Sequence, residues 1–169
     1  MIKDDNAMEQ FTKAYEELSD AIFRHCYFRI GDREKAKDLM QATFTKSWQY
    51  ISGGTEVQNL RSFLYRVANN LIIDEYRKKK EVSLDNLMAK GFDVGFEERG
   101  KMDKNIDARM AISVLNQVDE KYQTVVLMRY IDDLSPKEIA EATGDSENNV
   151  SVKIHRGLKK AKEILGEKY

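Results

Sequence analysis

From residue 7 to residue 80, and again from 102 to 165, apolar residues return every third or fourth position with charged residues between them. Nowhere does the chain alternate apolar and polar residues for the length of a strand. A pattern with that period buries one stripe per helix and turns a polar face outward, so helix-on-helix packing satisfies it and a sheet does not. A single proline, Pro136, and only nine glycines leave long stretches free of helix breakers. The expected fold class is all-α: two small helical domains, an N-terminal helix bundle and a C-terminal helix-turn-helix, joined by a flexible linker.

The punctuation of the pattern sets the boundaries. Phe11, Ala14, Tyr15, Leu18, Ile22 and Cys26 mark a first helix over 7–30, which Gly31-Asp32 breaks, leaving Asp32 to cap the second. The second carries Ala36, Leu39, Met40, Phe44, Trp48 and Ile51 and runs into the loop Ser52-Gly53-Gly54-Thr55. A third helix over 60–80 turns Phe63, Leu64, Val67, Ala68, Leu71 and Ile72 inward and ends in the basic run Arg77-Lys78-Lys79-Lys80. Residues 81–102 hold three of the nine glycines, mixed charge and no sustained period, which reads as a linker with one short helical turn near 84–88. The period then returns to Gln117, and Asp119 is placed to cap a helix carrying Tyr122, Val125, Val126 and Met128. The expected domains are therefore 1–80 and 103–169, with 81–102 between them. Each is near the lower size limit for an independent core, which suits simple bundles that gain stability from a partner.

The sharpest local signal lies near the C-terminus. Ser135-Pro136-Lys137-Glu138 is a capping box with proline at the first helical position. The short helix it starts carries Ile139, Ala140 and Ala142 and is stopped by Gly144, where a left-handed turn is needed. Ser146 can cap a final, longer helix. This is a helix-turn-helix, whose second helix enters the major groove when the unit binds DNA. Val150, Ile154 and Leu158 give that helix a buried face, and Asn149, Ser151, Lys153, His155, Arg156, Lys159, Lys160 and Lys162 give it a polar one. From Val150 to Lys162 there are five Lys or Arg and no acid, so polar tips can meet base edges while cations meet phosphates. The bland reading is a helical hairpin with a solvated basic face. The third helix offers a second clue: Arg61, Tyr65, Arg66, Asn69, Asn70, Tyr76 and Arg77 interleave around its apolar stripe, and aromatic and basic groups together clamp unstacked bases. Equally, Tyr65 and Phe63 read as ordinary core residues.

Charge and chemistry exclude other classes. Net charge is −1, so DNA binding requires segregated positive charge, and the last helix provides it. Cys26 is the only cysteine, so no internal disulfide forms, and it reads as a buried thiol. The polar, acidic start does not read as a signal peptide, and no apolar run approaches the ~20 residues of a membrane helix; the expected location is the cytoplasm, without membrane insertion. His25 and His155 stand in separate halves, no Gly-rich phosphate loop is present, and the acidic pairs Asp132-Asp133 and Glu97-Glu98 read as solvated turns. No enzyme activity, metal site or cofactor is expected.

Three blocks now carry a family resemblance. The stretch from Asp32 to Trp48, centred on Lys37-Asp38-Leu39-Met40-Gln41-Ala42-Thr43-Phe44, resembles the polymerase-binding helix of extracytoplasmic-function (ECF) sigma factors. Leu60 to Arg77 resembles their −10 recognition helix. Val118 to Ile131, Leu134 to Ala140 and Ser146 to Arg156 resemble their −35 recognition domain. The blocks cover both halves, in the family's order. The resemblance implies a factor that guides RNA polymerase to promoters, with core RNA polymerase and promoter DNA as partners and an anti-sigma factor as a further candidate. It places Asp38, Leu39, Gln41 and Phe44 on the polymerase clamp. It places Arg61, Asn70, Asp74 and Arg77 at the melted −10 strand, with the loop 53–58 shaping a pocket for a flipped base. Asn149, Ser151, Lys153, His155, Arg156 and Lys160 would meet the −35 duplex. The chain departs from the family's pattern at Ala42, where a Glu is usual, at Phe63, where a Trp is usual, and at Ser151-Val152, where a basic residue and Ser are frequent. Val152 would then be placed to touch a thymine methyl. The alternative is a stand-alone helix-turn-helix regulator, which would need a sensor or phosphoacceptor in its N-terminal half; that half offers amphipathic helices instead.

Overall fold

The computed structural model describes residues 2–86 and 106–168, with side chains at 5–82 and 110–166. All regular structure among the described residues is helical. The helices fall into two compact units that divide at residue 97. The first contains α1 (Ile2–Ile30), α2 (Arg33–Ser52) and α3 (Leu60–Asn86), and the second α4 (Ile106–Asn116), α5 (Glu120–Tyr130), α6 (Pro136–Thr143) and α7 (Glu147–Lys168).

In the first unit, short reversals bring three helices side by side. Gly31 takes φ +75° and Asp32 then accepts a hydrogen bond from the Lys35 N–H at 3.1 Å, so a two-residue break ends one helix and caps the next. After α2, Gly54 takes φ +98°, and Asn59 caps α3 by accepting from the Ser62 N–H at 3.1 Å. The core is Ile22 and Cys26 from α1, Ala36 and Met40 from α2, and Leu64, Ala68 and Ile72 from α3. Thr43 is fully buried without harm because its hydroxyl donates to the Leu39 carbonyl of its own helix at 2.7 Å. Phe11, Tyr15, Phe44 and Trp48 form an aromatic cluster between α1 and α2, with ring centroids 4.8–6.0 Å apart and mostly edge-on.

A polar seam joins α1 to α3. Arg29 is buried, donates to Asn69 Oδ1 at 3.2 Å and lies 5.6 Å from the Tyr76 ring centroid. The Tyr76 hydroxyl in turn donates to the Arg29 carbonyl, one of the acceptors that a helix C-terminus leaves unsatisfied. A buried charge is tolerable when it is bonded in this way. His25 packs edge-on against the fully buried Tyr65, centroids 5.4 Å apart.

In the second unit, α5 and α6 pack on α7 around Val118, Val125, Leu127, Met128, Leu134, Ile139 and Val150. The capping box at Ser135 is complete: its hydroxyl accepts from the Glu138 N–H at 3.1 Å and its N–H donates to Glu138 Oε1 at 3.2 Å. Gly144 ends α6 at φ +81°, and Ser146 Oγ accepts from the Asn149 N–H at 3.1 Å to start α7. The closest approach falls at Gly157: a Cβ there would sit 2.8 Å from Val126 Cγ2 and 3.2 Å from Tyr122 Cβ. Ile154 and Leu158 are only half-buried beside it.

Several sequence expectations change. The third helix does not stop at Lys80 but continues to Asn86, because Glu81 to Asn86 contains no glycine or proline to end it. The remainder of the proposed linker, and with it the pair Glu97-Glu98, lies outside the described residues. Asp119 stands at the N-cap of α5, yet its side chain makes no capping bond and accepts from Lys160 Nζ at 3.0 Å instead. Asp132 is buried rather than solvated, whereas Asp133, at φ +56°, is exposed in the turn as expected.

Three substitutions test this fold by chemical denaturation. Gly157→Ala forces Val126 and Tyr122 to shift and should cost about 1–3 kcal/mol, as overpacked cores do. Gly166→Ala, on the same helix with nothing within 4 Å of the added methyl, should be neutral or stabilising. Ser135→Ala should cost about 1 kcal/mol through the lost cap.

Candidate nucleic-acid and polymerase interfaces

Helical geometry sorts the C-terminal candidates into two stripes. Ser151, His155, Lys159 and Lys162 occupy one side of α7, and all are exposed, together with Val152. Asn149, Lys153, Arg156 and Lys160 run along the other side, so that the two stripes straddle Val152, which points away from the core. Two of these four, Lys153 and Lys160, are bonded to carboxylates within the unit. Lys153 Nζ lies 2.6 Å from Asp145 Oδ2, in the turn between α6 and α7, with both side chains roughly three-quarters covered. Lys160 Nζ is bonded to Asp119 and sits 4.8 Å from the Tyr122 ring centroid. The Arg156 guanidinium on the Tyr122 side, with Lys121 and Lys160 nearby, lowers the phenol from its ordinary pKa. The Asp119 bond in turn raises the Lys160 ammonium. Lys153 and Lys160 are thus engaged inside the unit, and their ammonium groups do not stand ready on the outward face.

On α3, Arg66, Asn70, Asp74 and Arg77 are exposed and succeed one another at three- and four-residue intervals, making one polar stripe. Arg77 Nη1 lies 3.9 Å from Asp74 Oδ1, both well exposed, an arrangement that contributes little to stability. Arg61 is not part of this stripe. It is half-buried, and nine residues of helix place it on the side opposite Asn70. The aromatic residues of the same helix turn inward: Tyr65 is fully buried, Tyr76 serves Arg29, and Phe63 packs edge-on to Tyr50 at 6.1 Å. Asn69 is also buried, on Arg29. The stacking platform suggested by the interleaved aromatics therefore does not form on α3. The loop after α2 is exposed at Thr55, Glu56 and Gln58, with the Thr55 N–H tied to the Tyr50 carbonyl at 3.0 Å.

On α2 the four docking candidates divide. Asp38 and Gln41 are exposed, and Gln41 Nε2 donates to Tyr15 Oη at 3.3 Å. Leu39 and Phe44 are buried, because they fall on the stripe that faces α1 and α3; Phe44 is the centre of the aromatic cluster. They support the surface from beneath and do not form it. The exposed stripe runs Asp38, Gln41, Ala42, Thr45.

Tyr122 and Asp145 escaped the sequence reading as functional residues. The one signal available was Gly157: a glycine inside a helix costs about 1 kcal/mol relative to alanine, so its presence points to a close backbone approach. Among the described residues, no group of three or more His, Cys, Asp or Glu could hold a metal, and no helix is long and apolar enough to cross a membrane.

Comparison with known proteins gives two family matches on one chain. Residues 14–82 match the family model for Sigma-70 region 2, and residues 108–160 match that for Sigma-70 region 4. The chain is 30% identical over 159 residues to the ECF RNA polymerase sigma factor SigW of Bacillus subtilis, covering 88% of this chain and 85% of that one. It is 26% identical over 158 residues to the ECF RNA polymerase sigma factor SigL of Mycobacterium tuberculosis, covering 90% and 87%. Its fold is similar to that of the sigma factor RpoE of Bartonella quintana, solved in complex with the anti-sigma factor NepR, with TM-score 0.77, 17% identity, and 94% and 98% coverage. Two units in that order, each matched and each helical, establish that this chain belongs to the ECF family of RNA polymerase sigma factors.

Proposed function

We propose that this sigma factor divides promoter recognition between its units. The exposed stripe of α2, with Asp38 and Gln41 at its centre, docks on core RNA polymerase. The α3 stripe from Arg66 to Arg77 and the loop at 53–58 hold the melted −10 strand. The helix α7 reads the −35 duplex in the major groove. The carrying observation is that two exposed polar stripes of DNA-binding character, on α3 and on α7, occur in one chain whose net charge is only −1. Such a chain binds phosphate where its cations are concentrated and relies on polymerase for the remaining affinity. Its own role is recognition, while polymerase performs the chemistry, and it acts in the bacterial cytoplasm where polymerase works. An anti-sigma partner belongs to this reading, supported by the NepR complex of the structurally similar factor.

Run-off transcription with core polymerase on source-genome promoters is the test. Discrete start sites that require the protein support the reading. Specific duplex binding by the protein alone, with no protein-dependent start, would overturn it in favour of a stand-alone regulator. Within that assay, Asn70→Ala combined with Arg77→Ala should lower output by roughly tenfold, equivalent to one or two lost polar contacts, without lowering Tm. Salt titration of promoter binding distinguishes the lysines of α7. Lys159→Ala should reduce the slope of log K against log salt by about 0.9. Lys153→Ala should leave the slope unchanged and cost up to about 1 kcal/mol of stability through the lost Asp145 bond.

A further inference from the structure

The seam between α1 and α3 holds more directional contacts than the packing of two helices requires. His25 lies edge-on against Tyr65 at 5.4 Å, and one turn further along both helices Arg29 meets Asn69 at 3.2 Å. Arg29 is only 5% exposed, and it grips α3 at two points. Its guanidinium donates to Asn69 Oδ1, and its own carbonyl accepts from the Tyr76 hydroxyl. The guanidinium also lies 5.6 Å from the Tyr76 ring centroid. Asn69 and Tyr76 are seven residues apart, which is two turns along one side of α3.

Each gripped residue has an exposed neighbour. Asn70 follows Asn69 and Arg77 follows Tyr76, and both lie on the stripe that Asp74 completes. One residue turns a helix by about 100°, so whatever fixes the angle of Asn69 and Tyr76 also fixes that of Asn70 and Arg77. The apolar contacts of α3 at Leu64, Ala68 and Ile72 bury surface but have no preferred direction. A twist of about 20° at a helix radius of roughly 5 Å would carry the stripe about 2 Å sideways. A binding constellation works only when held within about 0.5 Å. Buried hydrogen bonds at both ends of the stripe oppose such a twist.

We infer that Arg29, Asn69 and Tyr76 are positioning residues for capture of the melted −10 strand. They set the rotation of α3, and with it the reach of Asn70, Asp74 and Arg77, without touching DNA themselves. The inference rests on the sigma reading above and deepens it: the seam contributes to promoter opening separately from its contribution to folding.

The test uses holoenzyme reconstituted from core polymerase and the full chain. Its DNA probes are a single-stranded −10 oligonucleotide and a −35 duplex, both from a promoter mapped by run-off transcription. Tyr76→Phe keeps the ring and loses the bond to the Arg29 carbonyl. Asn69→Leu alone takes an acceptor from a buried guanidinium and would loosen the whole unit, so it is paired with Arg29→Met. Replacing both partners by apolar groups is close to neutral for folding. Tyr76→Phe and the double variant should fold, and should bind core polymerase and the −35 duplex as wild type does, yet bind the −10 strand about fivefold more weakly. Asn69→Asp, which keeps an acceptor for Arg29, should retain wild-type strand affinity. Wild-type strand affinity in both Tyr76→Phe and the double variant would overturn the inference. An equal loss of core-polymerase affinity would overturn it too, since that marks a unit loosened as a whole. Tyr76→Phe decides alone if the double variant does not fold. Wild-type holoenzyme that binds the −10 strand no better than a scrambled one would instead defeat the sigma reading itself.

Discussion

The backbone of α7 comes so close to α5 at Gly157 that no side chain fits between them, and the arrangement of the second unit follows from that contact. It brings Tyr122 against the flank of the reading helix, and with it Lys121 and Asp119 from the start of α5. It also sets which residues of α7 turn outward. A methyl group at this point would push the helices apart and move each cation of the flank relative to its partner. The position thus links core packing directly to the shape of the surface proposed to meet DNA.

The first unit has a comparable dependence on one buried group. Arg29 ties α1 to α3 through Asn69, and Tyr76 closes the end of α1 by bonding the Arg29 carbonyl. These bonds determine the rotation of α3 about its axis, because Asn69 and Tyr76 must face inward to make them. Asn70, Asp74 and Arg77 then face outward as a consequence. A buried polar seam is directional where an apolar contact is not, so it specifies the register of the exposed stripe more sharply than Leu64 or Ile72 could.

In both units the surfaces assigned to recognition are supported by side chains that do not themselves reach a partner. Phe44 and Leu39 hold the α2 stripe from below. Asp145 holds Lys153, and Asp119 holds Lys160. Several cations that a count of Lys and Arg would assign to DNA are committed within the protein. This agrees with a factor whose overall charge is nearly balanced and whose affinity for DNA need not be high without polymerase.

The amino-acid sequence alone carried the class of fold, the two-unit order and the helix-turn-helix with its cap and its glycine. These are local matters: periodicity, a capping box and a left-handed turn each act within a few residues. It also placed Asn70, Asp74 and Arg77 together, because their spacing puts them on one stripe of one helix. Tertiary structure alone decided the rest. Whether Tyr65 stacks on a base or fills the core, whether Leu39 and Phe44 touch polymerase, and whether Lys153 is available to DNA depend on which side of a helix meets its neighbour. A stripe of mixed aromatic and basic residues is compatible with either orientation. The bonds from Arg29 to Asn69, Lys153 to Asp145 and Lys160 to Asp119 span distances along the chain that no local pattern records, and those bonds choose the orientation.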